Sequence, residues 1–160
     1  MSFVSVHGPG RRVSASLRAM FLTFFFVAGA PLPGQGMPTD AKGQAAVRAA
    51  QSFMSRFEEG DLGNVYDQEM SPKFKALTAR DTFLQNGGTI RIQTGGRALA
   101  RELVGAQAFA QDPQGTKGDF EYVRFRARLP NGLVFQDVYL ENIGGAWKVA
   151  GIFYLPAPQQ

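Results

Sequence analysis

The chain has 160 residues, 44% of them apolar and 19% charged, which is typical of one globular domain with an extension. It has no cysteine, and its one histidine is His7, so residues 37–160 can form no disulfide, no Ser-His or Cys-His catalytic pair and none of the usual zinc sites. Three of the 17 basic residues and none of the 13 acidic residues precede Met37, which leaves 14 basic against 13 acidic side chains and excludes the charge excess typical of nucleic-acid binding.

Residues 1–36 have the pattern of a signal peptide with a short linker. Three arginines precede the apolar run 19–28, and small and turn-forming residues follow it. A membrane span needs roughly 20 apolar residues, so the run predicts cleavage rather than anchoring. We therefore expect an exported protein, periplasmic or secreted, with no stable membrane span after cleavage. An uncleaved amphipathic anchor is the alternative.

Residues 37–160 predict a single α+β domain that begins with three helices. The first helix starts at the N-cap Asp40 and ends at Gly60, with its apolar residues at helical spacing: Ala46, Ala49, Ala50, Phe53, Met54 and Phe57. Asp61 is placed to cap a short second helix that carries Leu62, Val65, Tyr66 and Met70.

Two further start signals follow in the chain. Ser71-Pro72 is one, since serine caps helices and proline suits the first helical position, and Phe74 and Leu77 are its expected buried pair. The segment 78–81 resembles a capping box and predicts a third helix, which Gly87-Gly88 would end.

The next segment predicts the first strand. Residues 89–93 read as extended or irregular, and Gly95-Gly96 leads into a strand over 97–110. Because that stretch is rich in alanine and poor in β-branched residues, a helical turn at its start stays open. Residues 112–115 form the loop into the remaining strands.

Residues 119–155 predict three antiparallel strands joined by two-residue turns at Asn131-Gly132 and Gly144-Gly145. Alternation places Val123, Phe125, Ala127 and Leu129 on a core face and Tyr122, Arg124, Arg126 and Arg128 on the other. The first turn predicts the pairs Arg126–Asp137, Arg124–Tyr139 and Tyr122–Glu141. The second predicts Asn142–Trp147, Glu141–Lys148, Leu140–Val149 and Asp137–Ile152. The last strand would then turn Trp147, Val149, Gly151, Phe153 and Leu155 to the core.

The order of elements resembles the domain of unknown function 4019 family. The segments that carry the resemblance are Phe57-Glu58-Glu59-Gly60-Asp61, Ser71-Pro72-Lys73-Phe74-Lys75, Gly96-Arg97-Ala98-Leu99 and the strand Trp147 to Phe153. The resemblance implies a small exported bacterial protein with three helices on a curved four-stranded antiparallel sheet, a cone-like fold similar to nuclear transport factor 2. It implies no activity.

The sequence favours a non-catalytic domain that binds a small ligand or a protein partner through the cone pocket or the outer sheet face. The candidate binding residues combine rings with arginines, which are enriched at the centres of protein interfaces. They are Tyr122, Arg124, Arg126, Arg128, Phe135, Tyr139 and Tyr154. A homodimer through this face and an ordinary solvated sheet face are both open alternatives. No cofactor and no metal are expected.

A second hypothesis is an isomerase- or hydrolase-like enzyme that uses carboxylates and tyrosines in the cone cavity. Its acid and base candidates are Tyr66, Asp67, Asp81 and Glu102. A third hypothesis, phosphate or anionic lipid bound by the three arginines, is disfavoured because Asp137 and Glu141 share their face.

Overall fold

The computed structural model describes residues 36–158, so the predicted signal peptide lies outside the described residues except for Gly36. Helices precede a four-stranded sheet, which confirms the α+β class. The elements are α1 (Ala41–Glu59), α2 (Leu62–Asn64), a π-helical segment (Val65–Glu69), α3 (Pro72–Leu77), α4 (Arg80–Thr94), β1 (Ala100–Gln111), β2 (Lys117–Leu129), β3 (Gly132–Ile143) and β4 (Ala146–Pro156). The strands form an open antiparallel sheet in the order β1-β2-β3-β4.

The predicted bounds of α1 are confirmed. The Asp40 carboxylate accepts a hydrogen bond from the Gly43 N–H at 2.6 Å, and Gly60 ends the helix in the left-handed conformation with φ 99°. The buried side of the helix includes Ala46 and Ala50, and α1 contacts all four strands. Small side chains let the helix axis lie close to the sheet, so α1 forms the layer that covers the core.

The centre of the core is a group of aromatic rings that α1, the π-helical segment, α3 and α4 contribute. Phe83 in α4 lies 5.9 Å from Phe57, 5.8 Å from Phe74 and 5.4 Å from Tyr66, measured between ring centroids. These rings share one buried cluster with the inward side chains of the sheet. The predicted core face of β2 is confirmed, because Val123 and Phe125 belong to this cluster.

The predicted end of the last helix at Gly87-Gly88 is wrong, and so is the extended segment 89–93. The helix α4 runs through both glycines to Thr94 and ends at Gly95, which has φ 84°. A Cβ on Gly87 would lie 3.1 Å from both δ-carbons of Leu62 and 3.2 Å from Phe57 Cε2. Gly87 therefore lets α4 pack closely on the preceding helices, and it does not interrupt the helix.

The predicted start of α3 is confirmed, but only Phe74 of the predicted buried pair, Phe74 and Leu77, is buried. The Ser71 hydroxyl accepts a hydrogen bond from the Phe74 N–H at 3.1 Å, and Phe74 is buried. Leu77 is 57% exposed. It is the last residue of a helix of less than two turns, and its side chain faces away from the core.

One predicted helix cap is wrong, and a second, Asp61, is the N-cap residue of α2 without a capping hydrogen bond from its side chain. The N-cap of α4 is Ala79, which makes no side-chain hydrogen bond, and Thr78 is buried with its carbonyl accepting from the Tyr66 hydroxyl at 2.6 Å. The Asp61 carboxylate accepts from the Asn64 side chain at 2.8 Å and caps no backbone N–H. Tertiary packing thus fixes these two helix starts more than local capping does.

The β2–β3 turn is formed by Pro130 and Asn131, not by Asn131-Gly132, because Leu129 pairs with Gly132. A two-residue Asn-Gly hairpin turn needs a positive φ at both positions, but Asn131 has a negative φ. Proline followed two residues later by glycine suits a type I turn. The register is shifted by two residues, so both faces keep their predicted residues. The pairs change to Arg124–Asp137, Tyr122–Tyr139 and Phe120–Glu141.

The β3–β4 turn at Gly144-Gly145 is confirmed, and three of the four predicted β3–β4 pairs form. Asn142–Trp147, Glu141–Lys148 and Leu140–Val149 form as predicted, but Tyr139 pairs with Gly151. Ala150 is therefore an extra residue, a β-bulge, and it reverses the faces of the rest of β4.

The bulge overturns the predicted faces beyond Ala150. Ile152 lies in the core, whereas Gly151, Phe153 and Leu155 lie on the opposite face, and Asp137 pairs with Phe153 instead of Ile152. A second irregularity at Val104 in β1 has the same effect, since Leu103 pairs with Phe125 but Gly105 pairs with Arg124. The side chains of β1 therefore alternate regularly between the two faces only up to Leu103.

Candidate functional site

The outer face, which is the side of the sheet opposite α1, is centred on an ion pair between Arg124 and Asp137. Nε and Nη2 of Arg124 donate to the two carboxylate oxygens of Asp137 at 2.8 and 2.7 Å. The guanidinium carbon lies 5.6 Å from the ring centroid of Tyr122 and 5.2 Å from that of Phe135. Both carboxylate oxygens accept a hydrogen bond from Arg124, so the two charges neutralise each other, and the pair lies against aromatic rings.

Two tyrosines extend this layer across the sheet. The rings of Tyr122 and Tyr139 are 5.1 Å apart, and Tyr139 meets Phe153 edge to face at 6.5 Å. Burial raises the pKa of Tyr139 to about 12. Burial, together with the charge of Asp137, also raises the pKa of Tyr122. Both phenols are therefore neutral at physiological pH, but only the half-buried Tyr139 presents part of its ring at the surface, since Tyr122 is 3% exposed.

The remaining charges of the outer face lie at its two ends. Arg126 lies opposite Phe135, while Glu141 lies opposite Phe120, six residues further along β3. Within residues 36–158, no ion pair involves Arg126, Arg128 or Glu141. The aromatic centre thus lies between an end with Arg126, Arg128 and the strand partner Glu102, and an end with Glu141 and its strand partner Lys148.

Tyr154 does not belong to the predicted binding face. Its ring lies 6.2 Å from that of Phe57 on the α1 side of the sheet, because the bulge at Ala150 reverses the end of β4. Burial raises the pKa of Tyr154, and Glu58 adds to the effect. The structure therefore brings together six of the seven predicted face residues and places Tyr154 in the interior.

A small pocket adjoins the outer face where α3 approaches the end of the sheet. Its volume is about 90 Å³, and its wall is mainly apolar, with Phe74, Leu77, Phe120, Tyr139 and Phe153 among the lining residues. The Lys73 ammonium and the Asp112 carboxylate form an ion pair at its edge. The space is sufficient for one apolar side chain and small for a whole ligand.

Three of the four acid and base candidates of the enzyme hypothesis, Tyr66, Asp67 and Asp81, lie around Arg80, and Glu102 lies apart in β1. The Tyr66 hydroxyl is engaged by the Thr78 carbonyl. Asp67 is exposed and accepts from Arg80 Nε at 3.1 Å, a hydrogen bond that lowers the pKa of Asp67. Asp81 and Glu102 are also exposed. A general base in an apolar cavity would need a carboxylate shielded from water, and none of these three is shielded.

The sequence analysis missed a polar network inside the domain. Arg101 Nη2 lies 2.6 Å from Glu58 Oε2, and Arg101 Nε donates to Gln136 Oε1 at 2.9 Å. Gln136 Nε2 donates to Glu58 Oε1 at 2.7 Å, and the Ala98 N–H donates to Glu58 Oε2 at 2.9 Å. Glu58 is 3% exposed and Gln136 is fully buried. Both carboxylate oxygens of Glu58 are in contact with donors, so the network joins α1 to β1 and β3 inside the domain.

One sequence signal could have found this network. Glu58 follows Ala50 and Met54 at four-residue spacing on the buried side of α1, Arg101 precedes Leu103 on an inward face, and Gln136 lies between Val134 and Val138. Three polar residues on three apolar faces of neighbouring elements predict a buried contact.

Neither a metal centre nor a membrane helix is found in the part of the chain that the structure describes. Residues 36–158 contain no group of three or more metal-ligating side chains and no helix long and apolar enough to cross a membrane.

The chain is thus an α+β domain in which helices cover one face of an open antiparallel sheet and rings surround an ion pair on the other. It belongs to a family described as protein of unknown function (DUF4019), whose model matches residues 49–152. This match confirms the predicted family. No curated protein and no solved structure matches the chain.

Proposed function

We propose that this chain is an exported, non-catalytic binding domain that acts through its outer sheet face. The observation that carries the proposal is the Arg124–Asp137 pair, whose charges are satisfied within the face and lie against the rings of Tyr122 and Phe135. A neutral aromatic centre with arginines nearby is the composition of the energetic centre of a protein interface. A catalytic role has less support, because two of the three buried carboxylates in the described part of the chain, Glu58 and Asp137, are each bound by an arginine. The third, Glu121, has a pKa raised by burial and forms no ion pair among residues 36–158.

The partner that this face fits is a second copy of the chain. A twofold axis that lies in the interface and crosses the strands near Val123 and Val138 would bring the Arg126 end of one face over the Glu141 end of the other. These ends are about 20 Å apart along the strands at roughly 3.3 Å per residue. The two copies would then form two equivalent Arg126–Glu141 contacts around an aromatic centre, as a symmetric dimer requires.

The local contacts of Glu141 support this arrangement. Lys148 lies opposite Glu141 in β4, but its ammonium donates to the Gln68 carbonyl at 2.6 Å. Glu102 lies opposite Arg126 in β1 without forming an ion pair in the described part of the chain. Both side chains therefore keep charge available for a partner.

Charge reversal tests this arrangement. We expect Arg126→Glu and Glu141→Arg each to reduce self-association about tenfold or more, since each places like charges at both symmetric contacts. The double variant should regain much of the lost association, because every contact is again between opposite charges. Sedimentation velocity of the processed protein gives the dissociation constants.

The matched control is Arg48→Glu, which makes the same charge change at an exposed position of α1. It should leave the dissociation constant unchanged. If Arg126→Glu associates as strongly as the parent protein, or if the double variant is as weak as the sum of the single changes, the proposed orientation is wrong.

Export is part of the same proposal. The basic and apolar pattern of residues 1–36 supports cleavage by a signal peptidase. The full chain, produced in a bacterial host, should be recovered from the periplasm or the medium without its first 30 to 41 residues, since the candidate cuts follow Ala30, Gly36 or the region of Ala41. An intact N-terminus in the cytoplasmic fraction, measured by mass spectrometry, would exclude export.

We also propose the cone-like relationship to nuclear transport factor 2 that the family resemblance implies. The support is that α1 lies across all four strands of an open antiparallel sheet. A crystal structure of the processed protein tests this, because the cone arrangement predicts a sheet that curves around α1.

A further inference from the structure

A second recess lies on the α1 side of the sheet, away from the outer face. It is formed where the middle of α1 faces the β3–β4 turn region and the π-helical segment, and its volume is about 310 Å³. This volume is at the lower end of the range found for small-molecule sites. The residues that matter for its chemistry are Ser52, Arg56, Glu69, Trp147 and Lys148.

The space exists because α1 presents short side chains at this level. Ala49 and Ser52 face the recess, while Leu140 and Val149 form an apolar floor and are almost completely buried. Trp147 is half-buried, and it packs against the core cluster from the edge of the same recess. The recess therefore combines an apolar floor with one large aromatic ring.

Two cations, Arg56 and Lys148, border this apolar surface, and each has N–H groups left to donate to a ligand. Arg56 Nη2 lies 2.9 Å from Glu69 Oε2 and 3.3 Å from Ser52 Oγ, while its side chain remains 48% exposed. A guanidinium has five N–H groups, so those on Nε and Nη1 are available. The Lys148 ammonium uses one of its three N–H groups on the Gln68 carbonyl.

The charges of the recess favour an anion. Arg56 and Lys148 contribute two positive charges and Glu69 one negative charge, which leaves one positive charge uncompensated among these lining residues. Glu69 is held inside the recess wall, with a side chain that is 14% exposed. A bound carboxylate could accept from Arg56 and Lys148 without displacing the Arg56–Glu69 pair, because separate N–H groups are involved.

We infer that this recess binds a small organic anion, with its carboxylate held by Arg56 and Lys148 and its flat apolar body against Trp147. The inference does not depend on self-association through the outer face, since α1 and the inward residues Leu140, Trp147 and Val149 line the recess. Lys148, the strand partner of Glu141, reaches the recess by way of its hydrogen bond to the Gln68 carbonyl. It would remain if the processed protein were a monomer.

Trp147 is the only tryptophan of the chain, so its fluorescence reports on this recess alone. Benzoate is a suitable probe, with benzyl alcohol as the uncharged analogue and acetate as the analogue without a ring. We expect benzoate at millimolar concentrations to change the Trp147 emission in a saturable way. Benzyl alcohol and acetate should bind at least about tenfold more weakly, since each lacks one of the two contacts.

Variants assign the binding to the recess. Arg56→Gln and Lys148→Gln should each weaken benzoate binding about tenfold, as expected for the loss of a charge-assisted hydrogen bond. Arg97→Gln removes a cation that is 71% exposed and does not line the recess, so it is the matched control and should bind benzoate like the parent. A Trp147→Phe variant, followed by calorimetry, should still bind, with lower affinity.

Three results would overturn the inference. They are the absence of saturable binding of benzoate at millimolar concentrations, equal affinity for benzoate and benzyl alcohol, and benzoate binding that Arg56→Gln and Lys148→Gln leave unchanged. Near-ultraviolet circular dichroism of each variant establishes that a loss of binding is not a loss of folding.

Discussion

Glu58 at the end of α1 and Arg101 in β1 form an ion pair inside the domain, with 2.6 Å between Oε2 and Nη2. Their side chains are 2% and 10% exposed. Removing one member of such a pair leaves the other charge buried without compensation. We expect Arg101→Met to lower the free energy of unfolding by about 3–5 kcal/mol, measured by urea denaturation.

The neighbouring pair Arg97–Glu59 provides the comparison. Its atoms are 3.5 Å apart, and its side chains are 71% and 50% exposed. We expect Arg97→Met to change stability by no more than about 1 kcal/mol. If the two arginine variants lose the same stability, the buried network does not have the structural role assigned to it.

The two glycines inside α4 should respond differently to alanine. A Cβ on Gly88 meets no atom within 4 Å, so Gly88→Ala should stabilise the helix by about 0.5–1 kcal/mol. A Cβ on Gly87 would press on Leu62 and Phe57, both buried, so Gly87→Ala should gain less than Gly88→Ala or lose stability. Thermal unfolding of both variants decides this. Equal stabilisation would show that Gly87 is not needed for close packing.

The bulge at Ala150 makes a prediction about the register of β4. Ile152 is 7% exposed and belongs to the core, so Ile152→Ala should cost about 2–4 kcal/mol. Leu155 lies opposite Phe135 on the outer side, so Leu155→Ala should cost less than about 1.5 kcal/mol. The reverse order in urea denaturation would favour a regular strand without the bulge.

The raised pKa of Tyr139 predicts that the folded protein loses stability in alkaline solution. Burial raises its pKa from 10.0 to about 12 in the folded protein, so the unfolded chain releases this proton first as the pH rises. The stabilisation is therefore complete below pH 10.0 and is lost between pH 10.0 and about 12. Tyr139→Phe should reduce the steepness of this loss in urea denaturation, while burial of Tyr122 and Tyr154 maintains part of it. An unchanged pH profile in the variant would contradict the shift.

Local chemistry predicted the elements whose ends depend on a few neighbouring residues. The N-caps Asp40 and Ser71 and the C-cap Gly60 have the roles that their residue types favour at helix ends. The helix end predicted at Gly87 is wrong because the glycine allows close contact with Leu62, twenty-five positions earlier in the chain. Spacing along the sequence does not reveal such contacts. The predicted position of the β2–β3 turn is also wrong, but residue types could have corrected it, since Pro130 suits the first central position of a type I turn.

The composition of the outer face was predictable as long as the strands stayed regular. Alternation placed Tyr122, Arg124, Phe135 and Tyr139 together, and a register error of two residues left their face unchanged. Tyr154 was misplaced because one extra residue at Ala150 reverses the face of everything after it. Bulges depend on the packing of neighbouring elements and leave no mark in the alternation itself.

The central claim is that the outer face joins two copies of the chain, and the most direct test is the solution mass of the processed parent protein. Sedimentation equilibrium over a range of protein concentrations should give a mass that rises to that of two copies. A mass that stays at one copy at every concentration would contradict the claim, because a neutral aromatic face with complementary charged ends would then not self-associate.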